Sequence, residues 1–121
     1  MTTILVIDDE FLVADILAFA LEDEGFMVVR ASHGRKGLDV LQRDRPALVI
    51  TDFMMPVMNG LEFAMAVRAR PESASLPIIL ISGAHADIAR EYGHLFTAVF
   101  DKPFSVEKII DAVVQVVGRP S

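Results

Sequence analysis

The sequence predicts an α/β fold: one parallel, doubly wound sheet with helices on both faces. Two observations carry this expectation. Short aliphatic runs alternate with longer amphipathic stretches along the whole 121 residues, a βαβ rhythm that calls for parallel strands. Those short runs are apolar almost throughout, as strands are when helices bury both faces of their sheet. Right-handed crossovers then leave few topologies, of which the doubly wound sheet is the commonest. Strand order is not readable from periodicity.

The elements follow in chain order. Ile4-Leu5-Val6-Ile7 is a short strand that ends in acid. Residues 11–24 repeat apolar groups at helical spacing, Leu12, Ile16, Leu17, Ala20 and Leu21, and Gly25 suits the position just past a helix end. Phe26–Ala31 reads as the second strand, and Arg35–Arg43 as a weaker helix with Leu38 and Leu41 inward and Gly37 against it. Ala47–Thr51 is the third strand, leading to Asp52. Asn59 with Glu62 three residues on has the form of a capping box for a helix to Ala69, stopped before Pro71. Pro77–Ile81 is the fourth strand, Ala86–Tyr92 a short helix and Thr97–Phe100 the fifth strand. Ser105 caps a last helix that puts Val106, Ile109, Ile110, Val113 and Val117 on one face.

Composition narrows the function. The apolar fraction of 53% supports a packed core, and the absence of cysteine removes disulfides and thiolate metal sites. A net charge of −6 opposes direct binding to nucleic acid. No apolar run approaches the ~18–20 residues of a membrane span, and the first residues lack the basic region of a signal peptide. The expected location is the cytoplasm. The expected organisation is a single domain over residues 1–121.

In an open α/β sheet, ligands bind beyond the carboxyl ends of the strands. The first strand delivers Asp8-Asp9-Glu10 there, the third Asp52, the fourth Ser82, and the fifth leads to Lys102. Carboxylates, a hydroxyl and an ammonium thus converge on one edge from four strands. Mg²⁺ takes hard oxygen ligands, typically one or two carboxylates plus phosphate. Asp8, Asp9 and Asp52 would crowd negative charge that a cation or a proton must relieve. A carboxylate nucleophile gives an acyl phosphate, while Lys102 and Ser82 can stabilise the charge on a transferring phosphoryl group.

Taken singly, each residue has a plainer reading. Asp8 or Asp9 is a common helix N-cap, Asp52 a turn residue, Ser82-Gly83 a strand-to-helix turn, and Lys102 a solvated lysine. Their coincidence at one sheet edge favours a site. Met54, Met55 and Met58 are read as loop packing, since thioethers do not suit an oxygen-ligand metal site. His33, His85 and His94 lack ligand spacing and are read as surface residues, and Glu22-Asp23-Glu24 as a solvated helix end.

Asp8-Asp9, Asp52, the segment Met55-Pro56-Val57-Met58-Asn59-Gly60, Ser82 and Lys102-Pro103-Phe104 together resemble the receiver domain of two-component response regulators, over essentially the whole chain. The resemblance implies a flavodoxin-like (βα)₅ fold with strand order 2-1-3-4-5. It makes Asp52 the phosphoacceptor and Mg²⁺ the cofactor. Asp9 becomes the direct metal ligand, Asp8 an acid acting through a water on the metal, and Asp52 itself and the Met54 backbone carbonyl the further ligands. Ser82 becomes the switch hydroxyl and Lys102 the partner of the phosphoryl group. The implied partners are a sensor histidine kinase or histidine phosphotransfer protein, and a downstream protein target reached through the region of the fourth helix, fifth strand and fifth helix. No output domain accompanies the receiver, which suits either a stand-alone regulator or a piece of a larger one.

Two departures stand out. Receivers commonly carry Tyr or Phe three residues before the lysine, where this chain has Val99; Phe100 should face the opposite way along the strand. The span from Ser82 to Lys102 is also short, which implies a trimmed fourth helix. Both motivate an alternative, a pseudo-receiver that docks a partner constitutively. An aspartyl-phosphate enzyme is disfavoured. Haloacid-dehalogenase-type enzymes place an acid two residues after the nucleophile, and Met54 stands there. The chain is therefore expected to assist only its own phosphorylation and dephosphorylation. No glycine-rich phosphate loop follows the first strand, which opposes nucleotide or flavin binding.

Overall fold

The computed structural model of the chain describes residues 2–83 and 86–120. In order, the elements are β1 (Thr3–Ile7), α1 (Phe11–Asp23), β2 (Met27–Ala31), α2 (Gly34–Asp44), β3 (Leu48–Asp52), α3 (Gly60–Ala69), β4 (Ile78–Ser82), α4 (Ala86–Glu91), a 3₁₀ turn (Gly93–Leu95), β5 (Ala98–Asp101) and α5 (Val106–Val117). The five strands form one parallel sheet in the order β2-β1-β3-β4-β5. This is the doubly wound, flavodoxin-like arrangement expected. Among the described residues no helix is long and apolar enough to cross a membrane.

Because successive strand residues point to opposite faces, each central strand feeds two cores. Leu5, Ile7, Val49, Ile78 and Leu80 pack with Leu38 of α2 and Phe63, Ala64 and Val67 of α3. Ile4, Val6, Leu48, Ile50, Ile79 and Ile81 pack with Ala14, Leu17 and Leu21 of α1 and Ile109, Ile110 and Val113 of α5. Full burial of each such Leu or Ile is worth about 1.5–3 kcal/mol, so the central strands are held from both sides. Gly37, unfavourable in a helix on propensity alone, has a packing reason. A Cβ there would run into Ile7 and lie 3.1 Å from Phe63.

Local signals work as read at several ends. Asn59 and Glu62 form the reciprocal capping box, with Asn59 Oδ1 accepting from the Glu62 amide at 2.8 Å and Glu62 Oε1 from the Asn59 amide at 3.0 Å. Ser105 caps α5 by accepting from the Lys108 amide. The fourth helix is short, as the spacing implied, and the chain reaches β5 through the 3₁₀ turn. Arg68 braces this region from α3, donating to the carbonyls of Ala74, Leu76 and Leu95. Val99 is exposed, whereas Phe100 packs against the α1/α5 core, so the two do face opposite ways.

The structure corrects some of the expectations. In α1 the apolar repeat is not one buried face: Leu12 and Ile16 are 74% and 51% exposed, while Ala14 and Ala18 are buried with Leu17 and Leu21. The helix carries more apolar residues than one face can hold, and small alanines let it sit close to the sheet. Met55 and Met58 pack against the α2/α3 core, but Met54, also expected to pack in the loop, is 58% exposed. Its position directly after the buried Asp52-Phe53 pair turns it outward. His33 caps α2 by accepting from the Lys36 amide, and His94 is exposed. His85 lies outside the described residues.

Candidate functional site

Parallel strands end together, so the carboxyl edge collects whatever follows each apolar run. β3 and β4 each reach one residue further than apolarity indicates, so Asp52 and Ser82 are the last ladder residues of their strands. Asp52 pairs with Ile81 and Ser82 with Asp101, which brings Lys102 next to the ends of both strands. The Lys102 amide donates to the Ser82 carbonyl at 2.8 Å, and the Asp8 amide to the Ala31 carbonyl at 3.1 Å. The polar groups therefore stand on fixed backbone. Behind them the chain turns tightly. A Cβ at Gly60 would lie 2.5 Å from the Asp52 carbonyl oxygen, so only glycine permits this approach.

Four polar residues here are buried: Asp8, Thr51, Asp52 and Ser82. Lys102 Nζ lies 3.0 Å from Asp52 Oδ1 and 3.6 Å from Glu10 Oε1. One carboxylate oxygen each from Asp8, Glu10 and Asp52 lie within 4.8 Å of one another. Asp8 Oδ1 accepts the Glu10 amide at 2.8 Å. Among the described residues, no donor or acceptor reaches Asp8 Oδ2 or Ser82 Oγ, though both atoms are buried.

The plainer readings of Asp8, Asp9, Asp52 and Lys102 do not hold. The N-cap of α1 is Glu10, without a side-chain cap bond, and neither Asp8 nor Asp9 takes that place. Asp52 is a strand residue, not a turn residue, and Lys102 is in a close ion pair. The site thus joins Asp8, Asp52 and Lys102, with Ser82 at the adjoining strand end. Asp9 is exposed and outside the set of converging oxygens, although its charge reaches Asp52. Glu10 takes a place in that set which reading the sequence did not give it. Its position beside Asp8-Asp9 was the only signal, and an exposed glutamate at a helix start is ordinary.

Electrostatics follow from burial. Desolvation raises the Asp8 carboxyl to about 6, helped by the charge of Asp52 and opposed by the Glu10 amide and Lys102. Desolvation also raises Asp52, against the Lys102 hydrogen bond and charge. Burial pulls the Lys102 ammonium down, but Asp52, Asp8 and Glu10 outweigh it and the net shift is upward. Two buried carboxylates with one ammonium leave a charge deficit. Hard carboxylate oxygens, one of them buried and unpartnered among the described residues, are the donor set of a divalent cation such as Mg²⁺, and the residues fit one.

Comparison with known proteins identifies the family. The model of the response regulator receiver domain matches residues 4–114. The chain belongs to this family. The "Probable transcriptional regulatory protein TcrX" of Mycobacterium tuberculosis is 35% identical over 112 residues, which cover 89% of this chain and 46% of that protein. The receiver thus spans about half the length of that relative. A response regulator receiver protein from Pseudomonas putida superposes with a TM-score of 0.88 at 29% identity, over 94% of this chain and 96% of that one. The receiver domain of the sensor histidine kinase PA1611 from Pseudomonas aeruginosa PAO1 shares the fold at a TM-score of 0.87 and 20% identity, covering 97% of this chain and 98% of its own. That structure is described with a magnesium ion coordinated in its active-site cleft.

Proposed function

We propose that this receiver is a phosphoacceptor switch in which Asp52 takes a phosphoryl group from a phosphohistidine of a sensor histidine kinase or histidine phosphotransfer protein. The observation that carries the reading is the Asp52 carboxylate, buried yet 3.0 Å from the Lys102 ammonium, with Asp8 Oδ2 and Ser82 Oγ at the neighbouring strand ends buried and unpartnered among the described residues. A buried carboxylate–ammonium pair beside unsatisfied polar atoms costs stability, and a phosphoryl group with three acceptor oxygens is a ligand that would satisfy Ser82 Oγ and Lys102 together.

In the transfer, an Asp52 oxygen attacks phosphorus in line with the donor's P–N bond. The O–P bond forms as the P–N bond breaks, and the electron pair leaves on the imidazole. Lys102 moves its ammonium from the Asp52 oxygen toward the equatorial phosphoryl oxygens, and Ser82 Oγ donates a hydrogen bond to one of them. By family likeness Asp9, Asp52 and the Met54 backbone carbonyl would hold Mg²⁺ directly, with Asp8 acting through a water. The cation, when bound, neutralises the incoming phosphoryl dianion and the crowded carboxylates. The chain acts on itself only. Met54 stands where an aspartyl-phosphate enzyme needs a general acid, and its exposed thioether transfers no proton.

Phosphorylation biases one of two conformations of the α4-β5-α5 region and so alters the binding of a protein target. The site of action is the cytoplasm, without direct nucleic-acid contact. One observation favours a second reading, a constitutive docking module. Val99 is exposed on β5 and lacks the aromatic ring that would couple the surface to Ser82. Labelling of the protein by a small phosphodonor should require Mg²⁺ and vanish in Asp52→Asn and Asp52→Ala. Retained labelling in those variants rejects the acceptor assignment. Unchanged target affinity with and without beryllofluoride favours constitutive docking.

A further inference from the structure

Glu10 sits where a helix usually spends its side chain on capping, yet it does not do so. Its backbone is extended, its amide donates to Asp8 Oδ1, and its carboxylate caps nothing. Glutamate is also not among the residues favoured at an N-cap. The carboxylate instead turns over the site mouth. Oε1 lies 3.6 Å from Lys102 Nζ, and the side chain is 63% exposed. The Lys102 ammonium therefore stands between a buried acid, Asp52, and a solvent-facing one, Glu10. A Glu10 oxygen is also within 4.8 Å of oxygens of Asp8 and Asp52, and among the described residues Asp8 Oδ2 is buried without a partner.

We propose that Glu10 is a positioning residue of the acceptor site: its charge draws the divalent cation toward Asp8 and Asp52, and its contact holds Lys102 at the mouth until a phosphoryl group claims it. The inference rests on reading Asp52 as the acceptor. It has two consequences of opposite sign. With cation scarce, Glu10 favours the reaction by raising cation occupancy. With cation saturating, the same charge repels an anionic phosphodonor and competes with it for Lys102, so Glu10 slows transfer. A residue that merely supported the helix start would move both quantities in the same unfavourable direction.

The test compares the full chain with Glu10→Gln and Glu10→Asp. Mg²⁺ affinity is measured by calorimetric titration without phosphodonor, and the labelling rate with acetyl phosphate is measured across Mg²⁺ concentrations. A unit charge about 5 Å from a divalent ion in a water-like, salt-screened setting corresponds to about three- to tenfold in affinity. Glu10→Gln should weaken Mg²⁺ binding by that factor and raise the labelling rate at saturating Mg²⁺, while Glu10→Asp, which keeps the charge, should stay near the parent in affinity. Unchanged affinity in Glu10→Gln, equal losses in both variants, or a fall in both affinity and saturated rate would overturn the proposal. If the parent chain is not labelled at all, the acceptor reading fails, and the calorimetric arm still decides whether Glu10 draws the cation.

Discussion

Replacing Asp8 by Asn should make the protein more stable while ending its activity. Asp8 is 5% exposed, and one of its oxygens has no partner among the described residues. Burial holds its carboxyl at about 6 against an ordinary 3.8. A folded-state value above the unfolded one means that the native protein binds more protons than the unfolded chain between those pH values. Stability therefore falls as pH rises through about 4 to 6 and stays reduced above it. The shift of about two units corresponds to about 3 kcal/mol as an upper bound. Asparagine keeps an oxygen for the Glu10 amide but carries no charge to desolvate, so Asp8→Asn should recover part of that cost above pH 7. In a domain of this size, about 1–3 kcal/mol raises Tm by roughly 3–12 °C. Thermal unfolding followed by circular dichroism without divalent ions, at pH 7.5 and pH 5, measures it. The gain should be clear at pH 7.5 and about half as large at pH 5, midway through the window in which Asp8 of the parent takes up its proton on folding. Mg²⁺ should stabilise the parent at pH 7.5 far more than it stabilises the variant. A variant no more stable than the parent at pH 7.5, or a gain of the same size at both pH values, would refute the reasoning.

Three further outcomes follow from the geometry. Lys102→Met removes the hydrogen bond and charge that hold Asp52 down, so the Asp52 carboxyl should titrate higher in NMR, and labelling by phosphodonor should slow by about tenfold or more. Gly60→Ala forces a Cβ against the Asp52 carbonyl oxygen and close to the Phe53 backbone; it should cost about 1–3 kcal/mol in denaturant unfolding and lower labelling as well. Arg68→Ala takes charged hydrogen bonds from the Leu76 and Leu95 carbonyls, which should cost about 1.5–3 kcal/mol in urea unfolding, with the labelling rate at Asp52 little changed.

Much of this site is legible from residue order, because a parallel sheet turns sequence into place: whatever follows each aliphatic run arrives at the same edge. Asp8, Asp52, Ser82 and Lys102 could be named for that reason alone. Their ladder positions could not, since Asp52 and Ser82 are polar, and apolarity marks burial and not hydrogen bonding; both still close their strands. Strand order came only through family resemblance, because periodicity carries no information about neighbours. α1 misled because Phe11, Leu12, Ile16 and Phe19 supply a second apolar stripe, and only packing against the sheet selects the face that holds Ala14, Leu17, Ala18 and Leu21. Glu10 could be placed at the edge but given no role, because that depends on proximity to Lys102, more than ninety residues away in sequence.

The most direct test of the account is to find the phosphorylated residue itself. The protein is incubated with Mg²⁺ and acetyl phosphate, reduced with borohydride, which converts an aspartyl phosphate to homoserine, and read by peptide mass spectrometry. The account predicts conversion at Asp52 alone, dependent on Mg²⁺. Conversion at Asp8, Asp9 or Glu10 with Asp52 intact, or a stable phosphate on Ser82, would contradict it.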